Sequence, residues 1–245
     1  MTVKEDRLGA DPVPGVGGAG RRPRTRRPPI PFEPTPMRLP RLYPVTDRRL
    51  SGLSHAEQVA RLCEGGATLI QLREKHLPPR EFCREAEDAL RVARAHGAVL
   101  VINDRADIAH ALGAHGVHLG QDDLPPEAAR RLLGARAVVG FSTHNFAQAA
   151  RAARLPVNYV AVGPVFDTAT KENPDPVTGL EGVRRARQAV GTLPLVAIGG
   201  IGPAQARAVI EAGADSVAVI GALYAGADPS AITRRTRELL GLLAG

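Results

Sequence analysis

From Arg41 onward one pattern repeats along the chain: a short run of aliphatic and β-branched residues, a polar or glycine-rich turn, then an amphipathic stretch rich in Ala, Arg and Leu. The short runs fall at Leu42–Thr46, Thr68–Arg73, Val99–Ile102, Gly116–Leu119, Ala137–Phe141, Tyr159–Val162, Leu195–Ile198 and Ser216–Ile220. They are apolar almost throughout, which marks strands covered on both faces. The stretches between them have helical spacing: Ser54–Cys63, Arg80–Ala95, Pro126–Leu133, Ala147–Ala153, Glu181–Val190, Pro203–Ala212 and Pro229–Leu243, with a shorter helix expected after Asp104. Eight alternating units are the number that closes a parallel barrel. The α/β fold expected for residues 41–245 is therefore a single (β/α)8 TIM barrel, with an open doubly wound sheet as the alternative.

Residues 1–40 break the pattern. They are dominated by Gly, Pro and Arg, as in the run from Gly15 to Pro29, and offer too little apolar surface to offset the entropy of ordering, so they are predicted to be a disordered tail. A second reading makes Met37 the true start. The tail also explains much of the formal net charge of +7: it holds eight Lys/Arg against four Asp/Glu, leaving 24 against 21 in the remainder. A basic tail whose only aromatic residue is Phe32 supports weak electrostatic binding at most, and no specific nucleic-acid partner is expected. No apolar run approaches the roughly 20 residues that span a bilayer. The arginines of the tail are followed by no apolar segment of the secretory kind, and Cys63 and Cys83 read as buried thiols inside helices. A cytoplasmic location is expected, and the sequence leaves homo-oligomerisation open.

In barrels of this kind the chemistry lies at the carboxyl ends of the strands. The second strand ends Gln71-Leu72-Arg73-Glu74-Lys75, and strand alternation turns Gln71, Arg73 and Lys75 one way and Leu72 and Glu74 the other. An amide and two cations at the barrel mouth suit a bound anion such as a diphosphate, although rim salt bridges would also account for the cations. The third strand ends at Asn103-Asp104 and the fourth in Gly120-Gln121-Asp122-Asp123, bringing carboxylates to neighbouring points of one rim. These could share a hard cation such as Mg²⁺, or serve as a helix N-cap and a loop turn. The fifth strand ends Ser142-Thr143-His144, and a long loop from Gly163 to Pro176 carries Thr168, Ala169, Thr170 and Lys171. The seventh and eighth strands end in Gly199-Gly200 and Ile220-Gly221, where backbone N–H groups can approach a phosphate.

Gln71–Lys75, Ile102–Asp104, Gly120–Asp123, Thr168–Lys171 and Gly199–Ile201, in this order over nearly all of Leu42–Ala244, resemble the thiamine-phosphate synthase family. That resemblance implies a transferase that joins 4-amino-2-methyl-5-(diphosphooxymethyl)pyrimidine to 4-methyl-5-(2-phosphoethyl)thiazole or its carboxylated form. It implies a pyrimidine diphosphate site at Gln71, Leu72, Arg73, Glu74, Lys75, Asn103, Ser142 and Lys171, with Arg73, Lys171 and Ser142 catalytic and Mg²⁺ on Asp104 and Asp123. It also implies a thiazole phosphate site at Thr168, Ala169, Thr170, Gly200, Ile220 and Gly221. The family often has Ser at the position of Gly221 and Glu at that of Asp122. The alternatives are a paralogue resembling thiazole tautomerase, which need bind neither diphosphate nor metal, and a non-catalytic ligand-sensing barrel. On the synthase reading, two anion sites lie at well-separated points of the rim.

Overall fold

A computed structural model describes residues 37–168, 170, 175–225 and 228–244. Eight parallel strands form the sheet: β1 (Leu42–Pro44), β2 (Leu69–Leu72), β3 (Val99–Asn103), β4 (Gly116–Leu119), β5 (Val138–Thr143), β6 (Tyr159–Val162), β7 (Leu195–Ile198) and β8 (Ser216–Val219). Their order is β1-β8-β7-β6-β5-β4-β3-β2. The ring closes where Val45 bridges Gln71 and the Thr46 N–H donates to the Gln71 carbonyl at 2.9 Å. The expected barrel is therefore the observed one, and each predicted strand is present within two residues at either end.

The helices are α1 (Arg48–Ser51), α2 (His55–Glu64), α3 (Pro79–Ala95), α4 (Ala106–Ala111), α5 (Pro126–Leu133), α6 (Phe146–Ala152), α7 (Gly179–Val190), α8 (Pro203–Glu211), α9 (Gly221–Tyr224) and α10 (Pro229–Leu243). The predicted pattern lacks α1, a single turn that depends on the Asp47 carboxylate accepting the Leu50 N–H. Among the described residues no helix is long and apolar enough to cross a membrane.

Strand alternation divides the core in two. Outward residues such as Leu42, Ile70, Leu72, Leu100, Ile102, Val117, Leu119, Val160 and Leu195 pack with the helices. Inward residues Tyr43, Val45, Leu69, Val101, Tyr159, Ala161, Val196 and Ala218 fill the barrel. Glycines admit the larger inward groups: a Cβ at Gly140 would lie 2.1 Å from the Tyr159 ring and 2.6 Å from His118 Nδ1.

Residues 1–36, most of the predicted tail, lie outside the described residues. Positions 37–40, also assigned to that tail by their sequence, belong instead with the barrel. Met37 and Leu39 are half-buried against the inward cluster, just before β1 and so at the end opposite the strand carboxyl termini. Two apolar side chains separated by one exposed residue carry too little periodicity to mark them as core. Removing residues 1–36 is expected to leave the denaturation midpoint unchanged, whereas removing residues 1–40 should cost about 2 kcal/mol by deleting these two side chains and uncovering the inward cluster they pack against. Chemical denaturation of the two truncated proteins checks the difference.

Candidate functional site

The carboxyl ends of the strands surround a cavity of about 890 Å³, lined among others by Gln71, Arg73, Lys75, Asn103, Asp104, Asp123, Ser142, Thr168, Thr170, Gly200, Ile220 and Gly221. This is at the upper end of ordinary small-molecule sites and is enough for two small ligands side by side. Most of the residues anticipated from sequence thus share one space. Leu72 and Glu74 are exceptions: Leu72 is buried in the outer layer, and the Glu74 carboxylate accepts the N–H groups of His76 and Leu77 and faces His55. Their side chains do not meet the cavity, as alternation requires. Ala169 and Lys171 lie outside the described residues.

On one side of the mouth Arg73 donates to Asp47 Oδ2 at 3.0 Å, and Lys75 is hydrogen-bonded to Asp104. The rim pairing considered from sequence is therefore present. Both partners stand within or beside the cavity, so an anion entering here meets cations already oriented. Asp104 does not cap the following helix, since α4 has Arg105 at its N-cap and no side-chain cap bond. Its φ of 61° makes it the one non-glycine residue in the left-handed region among the described residues. Such a conformation costs on the order of 1 kcal/mol or more and is retained where the surrounding structure requires it.

Asp123 accepts the Gly120 N–H at 2.7 Å, so the loop-turn reading holds for one of its oxygens. Burial pushes its carboxyl above the ordinary range, the Gly120 N–H draws it back, and the neighbouring Asp104 carboxylate raises it further. Two carboxylates close enough to repel one another form a fitting pair of hard-oxygen ligands for a divalent cation. Among the described residues no group of three or more His, Cys, Asp or Glu could hold a metal. A cation here would therefore be completed by substrate oxygens and water.

On the floor of the cavity lies a hydrogen-bonded line that sequence reasoning missed. Gln71 Nε2 donates to Tyr43 Oη at 3.4 Å, Tyr43 and Tyr159 share a 2.8 Å hydroxyl contact, Tyr159 Oη is 2.9 Å from His118 Nδ1, and His118 Nε2 is 2.8 Å from Ser142 Oγ. If each hydroxyl passes its single proton forward, the Gln71 amide makes Tyr43 donate to Tyr159, Tyr159 donate to Nδ1, and Nε2–H donate to Ser142. The Ser142 proton is then left for whatever fills the cavity. Burial keeps His118 neutral, lowering its pKa from the ordinary 6.5 to about 4. His118 sits in an apolar strand beside His115, and only its inward register distinguishes it. His144, on the same rim, has Nδ1 2.7 Å from the Gly163 carbonyl and 3.4 Å from Asp175.

Gly200 and Gly221 are glycines for different reasons. At Gly200 φ is +64° and a Cβ would lie 2.4 Å from the Asp167 carbonyl, so the turn requires glycine whatever binds there. A Cβ at Gly221 would come no nearer than 4.0 Å to Thr170 Oγ1, so the site has room for a side chain at this position. The ring order also shortens the separation expected between the two anion sites. Only β1 stands between β2 and β8, roughly 10 Å at two strand spacings. Bound phosphate groups would be close neighbours.

The His118 shift has a stability consequence. The folded pKa lies below the unfolded one, so the contribution is complete above about pH 6.5 and is lost as pH falls toward 4. Over that window the unmodified protein should lose up to about 3 kcal/mol more than a His118→Gln variant. Parallel denaturant titrations at stepped pH test this, and equal slopes would show that His118 titrates normally.

A family profile described as Thiamine monophosphate synthase matches residues 42–223. The thiamine-phosphate synthase of Albidiferax ferrireducens is 48% identical over 201 residues, covering 82% of this chain and 91% of that protein. That of Chloroflexus aurantiacus is 45% identical over 201 residues, covering 82% and 92%. The structure of thiamine phosphate pyrophosphorylase from Pyrococcus furiosus superposes with a TM-score of 0.74 at 36% identity, covering 84% of this chain and 96% of that one. With a matching profile over most of the barrel and relatives of this identity along nearly their whole length, the chain belongs to the thiamine monophosphate synthase family.

Proposed function

We propose that this protein is a thiamine-phosphate synthase, a transferase that joins a pyrimidine carrying a diphosphooxymethyl group to a thiazole phosphate and releases diphosphate. The observation that carries this reading is the meeting of Arg73, Lys75, Asp104 and Asp123 in one cavity that is also lined by Thr168, Thr170, Gly200 and Gly221. A tautomerase-like paralogue need bind neither diphosphate nor metal, and the relatives from Albidiferax ferrireducens and Chloroflexus aurantiacus are named as synthases.

Asp104 and Asp123 would hold Mg²⁺, whose charge, once bound, offsets that gathering on the departing diphosphate. The remaining chemistry is assigned to the chain itself. Arg73 and Lys75 meet the diphosphate oxygens, and their charge matters most as the bond to the pyrimidine methylene breaks. Asn103 and Ser142 face the pyrimidine, with the Ser142 hydroxyl oriented by neutral His118. The thiazole nitrogen then supplies the electron pair for the new carbon–nitrogen bond, which makes alignment of the two partners a large part of the catalysis. Thr168, Thr170, Gly200, Ile220 and Gly221 are assigned to the thiazole phosphate. Ala169 and Lys171 are carried over from the family resemblance, Lys171 as a further cation for the diphosphate. Small molecules are the only partners this reading requires, and a cytoplasmic location suits it.

Incubation with both substrates and Mg²⁺ is expected to yield thiamine phosphate and diphosphate in equal amounts, measured by chromatography and a diphosphate assay. Asp104→Asn and Asp123→Asn keep the side-chain shape but remove a charge. Each should raise the Mg²⁺ concentration giving half-maximal rate by about tenfold or more. An unmutated protein without turnover would refute the function, and unchanged Mg²⁺ dependence in both variants would refute the metal assignment.

A further inference from the structure

Behind the cations of β2 is a cluster of buried polar side chains that are not among those lining the cavity. Thr46 and His55 are fully buried, and the Glu74 side chain is only 6% exposed. Glu74 Oε2 is 3.3 Å from His55 Nε2, His55 Nδ1 is 2.8 Å from Thr46 Oγ1, and Thr46 Oγ1 accepts the Arg73 N–H at 3.2 Å. The other Glu74 oxygen accepts the His76 N–H at 2.7 Å and the Leu77 N–H at 3.3 Å.

These contacts have a direction. Burial works to raise the Glu74 carboxyl, but its hydrogen bonds from His76 and His55 outweigh this and keep it below the ordinary range, as a carboxylate that can only accept. His55 Nε2 must then carry a proton. Burial lowers the pKa of His55 against the pull of Glu74, which leaves the imidazole neutral and Nδ1 without a proton. Thr46 therefore donates to Nδ1 and turns a lone pair to the Arg73 N–H.

We propose that Thr46, His55 and the outward-facing Glu74 are positioning residues that fix the direction in which Arg73 and Lys75 meet the diphosphate. The proposal rests on the assignment of that ligand made above. Glu74 stands between the two cations in sequence, so tying its carboxylate behind the sheet commits both neighbours to the cavity side. The Thr46 hydroxyl holds the backbone of Arg73, and Asp47 next to it holds the guanidinium. Two consecutive residues after β1 thus set the position and orientation of Arg73.

Thr46→Val removes the hydroxyl at nearly constant volume, and Thr46→Ser keeps it. The first is expected to lower kcat about tenfold and raise KM for the pyrimidine diphosphate severalfold, with KM for the thiazole phosphate unchanged. The second should return both constants to within about twofold of the unmutated values. A purely structural role would lower the melting temperature of Thr46→Val while leaving both KM values alone. Because that variant leaves two buried groups without partners, an independent readout on the unmutated protein is needed. Nitrogen-15 NMR at neutral pH should show His55 as the neutral Nε2–H form, and a spectrum of the Nδ1–H form or of imidazolium overturns the proposal. An unmutated protein with neither turnover nor affinity for inorganic diphosphate in the presence of Mg²⁺ removes the functional reading and this proposal together. Normal turnover with unaltered constants in Thr46→Val removes the positioning role alone.

Discussion

Closure of the barrel between β1 and β2 is the constraint on which the site depends. A parallel sheet left open there would expose the polar edges of both strands. In the closed ring, the Thr46 N–H donates to the Gln71 carbonyl and Val45 bridges Gln71. The same register carries Thr46 and Asp47 past the end of β1 and against Arg73, and places the Tyr43 hydroxyl within reach of the Gln71 amide. Chain closure and presentation of Arg73 are thus produced by one set of contacts.

The second constraint is that buried polar side chains need partners, because burying one without a partner costs on the order of 1–3 kcal/mol; among the described residues the Ser216 hydroxyl is the one buried side-chain group left without any. Two hydrogen-bonded lines supply such partners, one beginning in β2 and the other at the residue that follows it. One runs inward from Gln71 through the two tyrosines and His118 to Ser142, and the other runs behind the sheet from Arg73 through Thr46 and His55 to Glu74. Each contains a histidine that burial holds neutral. A neutral imidazole flanked by two hydrogen-bonding groups has its tautomer set by them, which makes both lines rigid supports for the groups at the cavity.

Much of this was legible from sequence because it depends on local periodicity. The two-residue alternation in Gln71–Lys75 separates cavity-facing from outward-facing side chains in the structure as it does on paper. It also shows that the side chains of Leu72 and Glu74, carried over as part of a contiguous motif, face away from the cavity. What could not be read depends on contacts between distant residues. Tyr43 and Tyr159 are 116 positions apart, and Gly140 is needed because the Tyr159 ring passes over it. His118 looks like a core residue until the opposing strands are known. The difference between Gly200, which the turn requires, and Gly221, which has space beside it, likewise appears only in three dimensions.

The central claim is that one cavity divides its rim between a diphosphate with its cation at β2–β4 and a phosphate at β7–β8. It is tested most directly by a crystal structure of the protein with inorganic diphosphate, Mg²⁺ and the thiazole phosphate. The account predicts diphosphate against Arg73 and Lys75, the metal on Asp104 and Asp123, and the thiazole phosphate at Gly200 and Gly221. Diphosphate at the glycines, or a metal bound away from both aspartates, would contradict it.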